Sequence, residues 1–139
     1  MNINICKDYT DTPGGRYISQ GEFSGEDLKM LLNLLKPKYL EAVEKNEKLK
    51  IDLDGGYGYG SSFLEEAFGG LIRDLDEDYK QALEIIQIKS NDEPSLIEDI
   101  TKYIKDAIAK KQEEYMGFIK KHSKCLVITI LITLVILGG

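Results

Sequence analysis

The residues with the most chemistry to offer lie together between Asp52 and Glu66. Asp52 and Asp54 lead into Gly55, Gly56, Gly58 and Gly60, the serine pair Ser61 and Ser62 follows, and Glu65 and Glu66 stand one turn further on. A glycine-rich turn that runs into a helix start presents free backbone amides and the positive end of the helix dipole, which together favour a phosphate or another anion. Two catalytic patterns fail here. No lysine precedes Ser61 or Ser62, so the nucleoside-triphosphate loop lacks its charged residue. Nor is GYGSSF a Gly-x-Ser-x-Gly elbow, and the single histidine, His122, lies in a lysine-rich stretch far along the chain. Helical spacing assigns the many carboxylates to solvent faces rather than to facing acid and base pairs. We therefore expect no enzyme, no cofactor and no metal. Cys6 and Cys125 lie far apart with no Cys or His at ligand spacing, and both read as free thiols of a reducing compartment.

The turn needs elements to hold it. Leu49, Ile51 and Leu53 alternate with Lys48, Lys50, Asp52 and Asp54, the period of a strand with one buried and one wet face, in a sheet covered on one side. Ser62 and Glu65 have capping-box spacing, so a helix is expected to begin at Ser62. Phe63, Leu64, Ala67, Phe68, Leu71, Ile72 and Leu75 form its apolar stripe. Gly69 and Gly70 inside it imply the close approach of another backbone, since each otherwise costs about 1 kcal/mol relative to alanine. Upstream, Met1 to Cys6 and Arg16 to Gln20 read as two adjoining strands separated by Thr12, Pro13, Gly14 and Gly15. Ser24 and Asp27 open a helix carrying Leu28, Leu31, Leu32 and Leu35, with a kink or restart expected at Pro37. Downstream, residues 83–89 read as a strand parallel to 48–54, and Pro94 and Ser95 begin a long helix with Leu96, Ile100 and Ile104 on one face.

Charge and hydropathy divide the chain. Its 139 residues carry a net charge of −6, yet the last 24 hold Lys120, Lys121 and Lys124 and no acid, so the other 115 carry about −9. Such a balance argues against a nucleic-acid partner. No basic start followed by an apolar run opens the chain, so no secretory signal is expected. Ten of the fifteen residues from Cys125 to Gly139 are Leu, Ile or Val. Fifteen helical residues reach only about 22 Å, but the preceding lysines can snorkel, and the aliphatic residues favour insertion by roughly 3 to 6 kcal/mol. The expectation is a domain over residues 1–115 and, over 116–139, a basic flank with a carboxy-terminal membrane anchor at 119–137. The domain would then face the cytoplasm, or the whole chain would be cytoplasmic. A buried final strand is the alternative, since eight of the thirteen residues 125–137 are Val, Ile or Thr.

TPGGR at 12–16, SGED at 24–27, IDLDG at 51–55 and above all YGSSFLEEAFGGL at 59–71 resemble the STAS-like family of uncharacterised bacterial domains. The resemblance covers roughly residues 1 to 90. It implies a small α/β domain with a mixed sheet and helices mainly on one face, followed here by a hydrophobic C-terminal helix. Anti-sigma factor antagonists are better-known relatives. There, a serine at the start of the helix after the central strand is phosphorylated by a serine kinase with a histidine-kinase-type ATPase fold, which abolishes partner binding. By position Ser62 matches that serine and Ser61 its neighbour, although Gly60 stands where the relatives have aspartate and Phe63 where they have glycine. The function expected is regulatory binding of a protein, with Tyr57, Tyr59, Ser61, Ser62, Glu65 and Glu66 as the contact surface. The other reading is a small-ligand or anion sensor built from the turn amides with Arg16.

Overall fold

The computed structural model describes residues 1–138, apart from the side chains of 124–130. It separates into two units, Met1–Ile108 and Ala109–Gly139.

The first unit is built on three short parallel strands, β1 (Asn2–Asn4), β2 (Leu49–Asp52) and β3 (Ile86–Lys89), in the order β1-β2-β3. Register places Ile3 beside Ile51 and Ile51 beside Ile88. Ile3, Leu49 and Ile51 are almost wholly buried, while Asn2, Lys50, Gln87 and Lys89 on the opposite face are exposed. The sheet is thus covered on one side, as the alternation in β2 requires. It is not mixed. The stretch from Arg16 to Gln20 forms no strand but a loop ending in a single 3-10 turn, Ile18–Gln20. β1 pairs instead with β2, whose apolar Leu49 and Ile51 offer the buried row that Ile3 extends.

Helices cover the apolar face. α1 (Ile5–Asp8) follows β1 directly and is capped by Asn4, which accepts from the Lys7 amide at 3.0 Å. α2 (Gly25–Met30) starts where expected, the Ser24 hydroxyl accepting from the Asp27 amide at 3.1 Å. The break comes at residues 31–34 rather than at Pro37, which falls in the first turn of α3 (Leu35–Lys45), where its missing N–H has no helical acceptor to leave empty. Asn46, left-handed at φ 53°, closes α3 by donating to Ala42 and Val43. After β2 a continuous helical stretch comprises α4 (Ser61–Leu64), a π segment over Glu65–Gly69 and α5 (Gly70–Asp74). Phe63, Leu64, Ala67, Phe68, Leu71, Ile72 and Leu75 along it are all buried. A short α6 (Ala82–Ile85) occupies the first part of the expected strand 83–89, so β3 begins only at Ile86. The long α7 (Ser95–Gly138) contributes Leu96, Ile100, Ile104 and Ala107 to the core.

In the second unit the backbone is helical to Gly138, so no final strand forms, and Leu131, Ile132 and Leu134 to Leu137 are exposed. Phe118 stacks on His122 at 4.2 Å. The expected anchor at 119–137 falls partly on side chains outside the described residues. Among the described residues no helix is long and apolar enough to cross a membrane.

Candidate functional site

Parallel strands end together, so the segments that follow β1, β2 and β3 meet at one end of the sheet, the usual position of a site in an open α/β fold. Here they are stitched to one another. The Asp54 amide donates to Asp52 Oδ1 at 2.9 Å, and the Asp54 carboxylate accepts from the Asp92 amide at 2.9 Å. In return the Asp92 carboxylate accepts from the Gly55 amide at 3.0 Å. From the β1 side, Cys6 Sγ donates to Gly55 O at 3.3 Å and Asp11 O accepts from the Tyr57 amide at 2.9 Å. Gly55 and Gly58 take φ of 94° and 117°, which a side chain would strain.

The two tyrosines of the turn part ways. Tyr59 folds inward, its hydroxyl donating to Leu53 O at 2.9 Å and its ring lying 5.9 Å from that of Phe63. Burial pushes its phenol well above the ordinary tyrosine range, with Cys6, Asp52 and Asp54 adding to the shift. Tyr57 points out and is 86% exposed. Ser61 and Ser62 are exposed as well. The helix begins one residue earlier than the capping-box spacing suggested: Gly60 occupies the cap position and no side chain caps it. Ser62 is therefore an exposed first-turn residue, not the cap. Glu65 does not reach back to it because two guanidinium groups hold it elsewhere.

Those groups belong to a collar of charge around the π segment. Arg73 grips Glu65 through two bonds of 2.9 Å, and Arg16 Nη1 reaches Glu65 Oε1 at 2.7 Å. Glu66 receives Arg73 at 3.3 Å, Arg16 at 3.5 Å and Lys29 at 3.1 Å, and Lys29 also reaches Asp74 at 2.9 Å. Lys29 and Glu66 are buried. Burial disfavours the Lys29 cation, but hydrogen bonds to Asp74 and Glu66 outweigh it and hold its pKa above the ordinary lysine value. Arg73 and then Arg16 keep the Glu65 carboxyl below the ordinary carboxylate range. The two inserted glycines make room for this collar. A Cβ on Gly69 would strike Glu65 Oε2, and one on Gly70 would meet Glu66 Oε1 at 3.1 Å and Lys29 Nζ at 3.2 Å. The nearest atoms to both are side-chain atoms of the collar, not the backbone of another element. The close backbone approach is instead at Gly25, where a Cβ would collide with Phe63 O.

Of the residues expected at a contact surface, the structure leaves Tyr57, Ser61 and Ser62 exposed, turns Tyr59 inward and ties Glu65 and Glu66 into the collar. Arg16 is committed to Glu65 and Glu66, and the carboxylates of Asp52, Asp54 and Asp92 are bound into the turn, a field that opposes an anion. Lys29, Arg73 and Asp74 were not anticipated. Lys29 meets Glu66 and Asp74 far along the chain, and Arg73 meets Glu65 and Glu66 two turns back on its own helix, beyond the ordinary i,i+4 spacing, so the glycine pair at 69 and 70 is the one local mark they leave.

Residues 30–96, which carry β2, the turn, the collar helix and β3, match a family model described as STAS-like domain of unknown function (DUF4325). The resemblance drawn from SSFLEEAFGGL and its neighbours thus stands. No curated protein and no solved structure matches the chain.

Proposed function

We propose that the domain is a non-enzymatic regulatory module that binds another protein through the turn Tyr57 to Ser62 and the exposed side of the helix that follows. The observation that carries this reading is the exposed Tyr57 on a turn tied at Gly55, Tyr57 and Tyr59. With its backbone already held, an aromatic side chain has only two χ angles to order on binding, and tyrosine is a frequent anchor of interfaces. Acidic surroundings weigh against the anion-sensing alternative, and an acidic partner groove would be repelled by further negative charge on this surface. Exposure of both Ser61 and Ser62 fits a switch in which a serine kinase of histidine-kinase-type ATPase fold modifies one of them. The added charge of roughly −1.5 to −2 would accumulate beside Asp52 and Asp54 and release the partner while the fold survives.

The test is capture of a binding protein by the full chain, then repetition with Tyr57→Ala and Ser62→Asp. The expected result is loss of the captured protein in both variants at an unchanged urea midpoint. Retention in both would place the contact elsewhere. Incubation with such a kinase and ATP, followed by mass spectrometry, tests the switch separately, and absence of phosphate from both serines would discard it.

A further inference from the structure

The two edges of the sheet are unlike, and the hydrogen-bond ladder shows how. The Lys50 amide donates to Met1 O at 2.9 Å, so Lys50 and Asp52 face β1, and Asn2 and Asn4 of β1 point outward. One outward group of each residue is taken by a side chain: Asn2 O accepts from Lys38 Nζ at 3.0 Å, and the Asn4 amide donates to Asp8 Oδ2 at 2.7 Å. This edge is closed to another strand, in the manner by which native sheets guard themselves.

On the other side the Leu53 amide donates to Lys89 O at 2.9 Å, so Gln87 and Lys89 face β2 and Ile88 directs its N–H and C=O away from the sheet. Among the described residues no group bonds either of them. A backbone N–H without a partner is tolerated only where solvent reaches it, and Ile88 is half-buried, not buried. The usual guard, a lysine, does not stand over this edge either. Lys89 leans across the polar face toward Asp52 at 3.5 Å.

We propose that two copies of this chain join edge to edge through β3, antiparallel about Ile88, to form a continuous six-stranded sheet. An antiparallel two-fold needs one residue that offers both its N–H and its C=O outward, and Ile88 is that residue. The pairing sets Gln87 opposite Lys89 of the second copy, so no like charges face one another across the seam. A two-fold axis perpendicular to the sheet keeps the polar faces on one side and brings the Ile88 side chains together on the other. Self-complementarity is what selects a second copy over a foreign extended peptide.

Sedimentation of the full chain with and without Ile88→Pro tests it, because proline removes the outward N–H while leaving the ladder to β2 intact. The native chain is expected to dimerise and the variant to do so at least tenfold more weakly, while Ile88→Val, which keeps the N–H, stays dimeric. Mixing Gln87→Cys and Lys89→Cys chains should yield an 87-to-89 disulfide between copies, identified by mass spectrometry, and this result decides alone if Ile88→Pro does not fold. A monomeric native chain, an Ile88→Pro dimer as tight as the native one, an edge filled by a co-purifying peptide, or absence of the 87-to-89 link each overturns the proposal.

Discussion

The helical stretch from Ser61 to Asp74 is treated differently at its two ends. At its start Gly60 supplies no side-chain cap, Ser61 and Ser62 stand in solvent, and Tyr57 on the preceding turn is exposed. One turn later Glu65 and Glu66 are held by Arg16, Arg73 and Lys29, and the backbone widens into a π segment to seat them. The same helix therefore has one end open to solvent and the rest consumed in holding the fold. Proximity in sequence to an exposed turn does not leave a carboxylate free to meet a ligand. What its charge already touches decides that.

The contrast can be broken most forcefully at Lys29. Lys29→Met keeps the aliphatic stem but leaves Glu66 buried with only the longer contacts to Arg16 and Arg73, and should cost about 3 kcal/mol by urea denaturation. Combining it with Glu66→Leu should cost clearly less than the sum of the two single losses, because the double variant strands no charge. Next in size is Gly25→Ala, which drives a methyl into Phe63 O and should lose about 2 kcal/mol. Gly69→Ala should stay near neutral, since the atom it strikes is the far end of a side chain that can swing aside and the helix gains about 1 kcal/mol from alanine.

Titration separates the two ends in another way. Because Arg73 and Arg16 depress the Glu65 carboxyl, its contribution is complete above its ordinary value of 4.5 and is lost as pH falls through the lower folded value. Glu65→Gln should thus show a constant deficit against the parent near neutrality that shrinks below pH 4.5. A deficit that persists unchanged into acid would mean the ion pairs contribute nothing. At the open end the effect should be smallest. Ser62→Ala removes an exposed hydroxyl that caps nothing, so thermal and urea midpoints should move by less than about 0.5 kcal/mol. A loss of 1 kcal/mol or more would restore Ser62 as the cap.

Much of this was legible where the signal was local. Leu49, Ile51 and Leu53 announced a strand wet on one face, and Ser24 with Asp27 announced a helix start. Local signals also misled where a distant group decided the outcome. The capping-box spacing of Ser62 and Glu65 was overruled by Arg16 and Arg73. Arg16 to Gln20 lacked a partner because β1 found a longer apolar row in β2. One readable sign went unused: the apolar residues run 63, 67, 71, 75 and 64, 68, 72, spaced by four throughout. In an ordinary α-helix each step of four drifts by about 40°, so such a stripe would wind off the sheet. A π turn takes up the drift, and all seven side chains stay buried.

The all-parallel pairing also bears on how the domain comes to be folded. Ile3 must find Ile51, and Leu49 must find Ile86, so neither pair of strands can zip from a hairpin. Each pairing waits for the closure of a long loop whose entropy is lost before any strand contact forms. The helices that lie between the strands must therefore be largely assembled before the sheet registers, and β1, the first element made, remains unpaired until β2 arrives. Refolding should be slow for a domain of this size, with helical signal recovered ahead of the protection of β1 amides from hydrogen exchange.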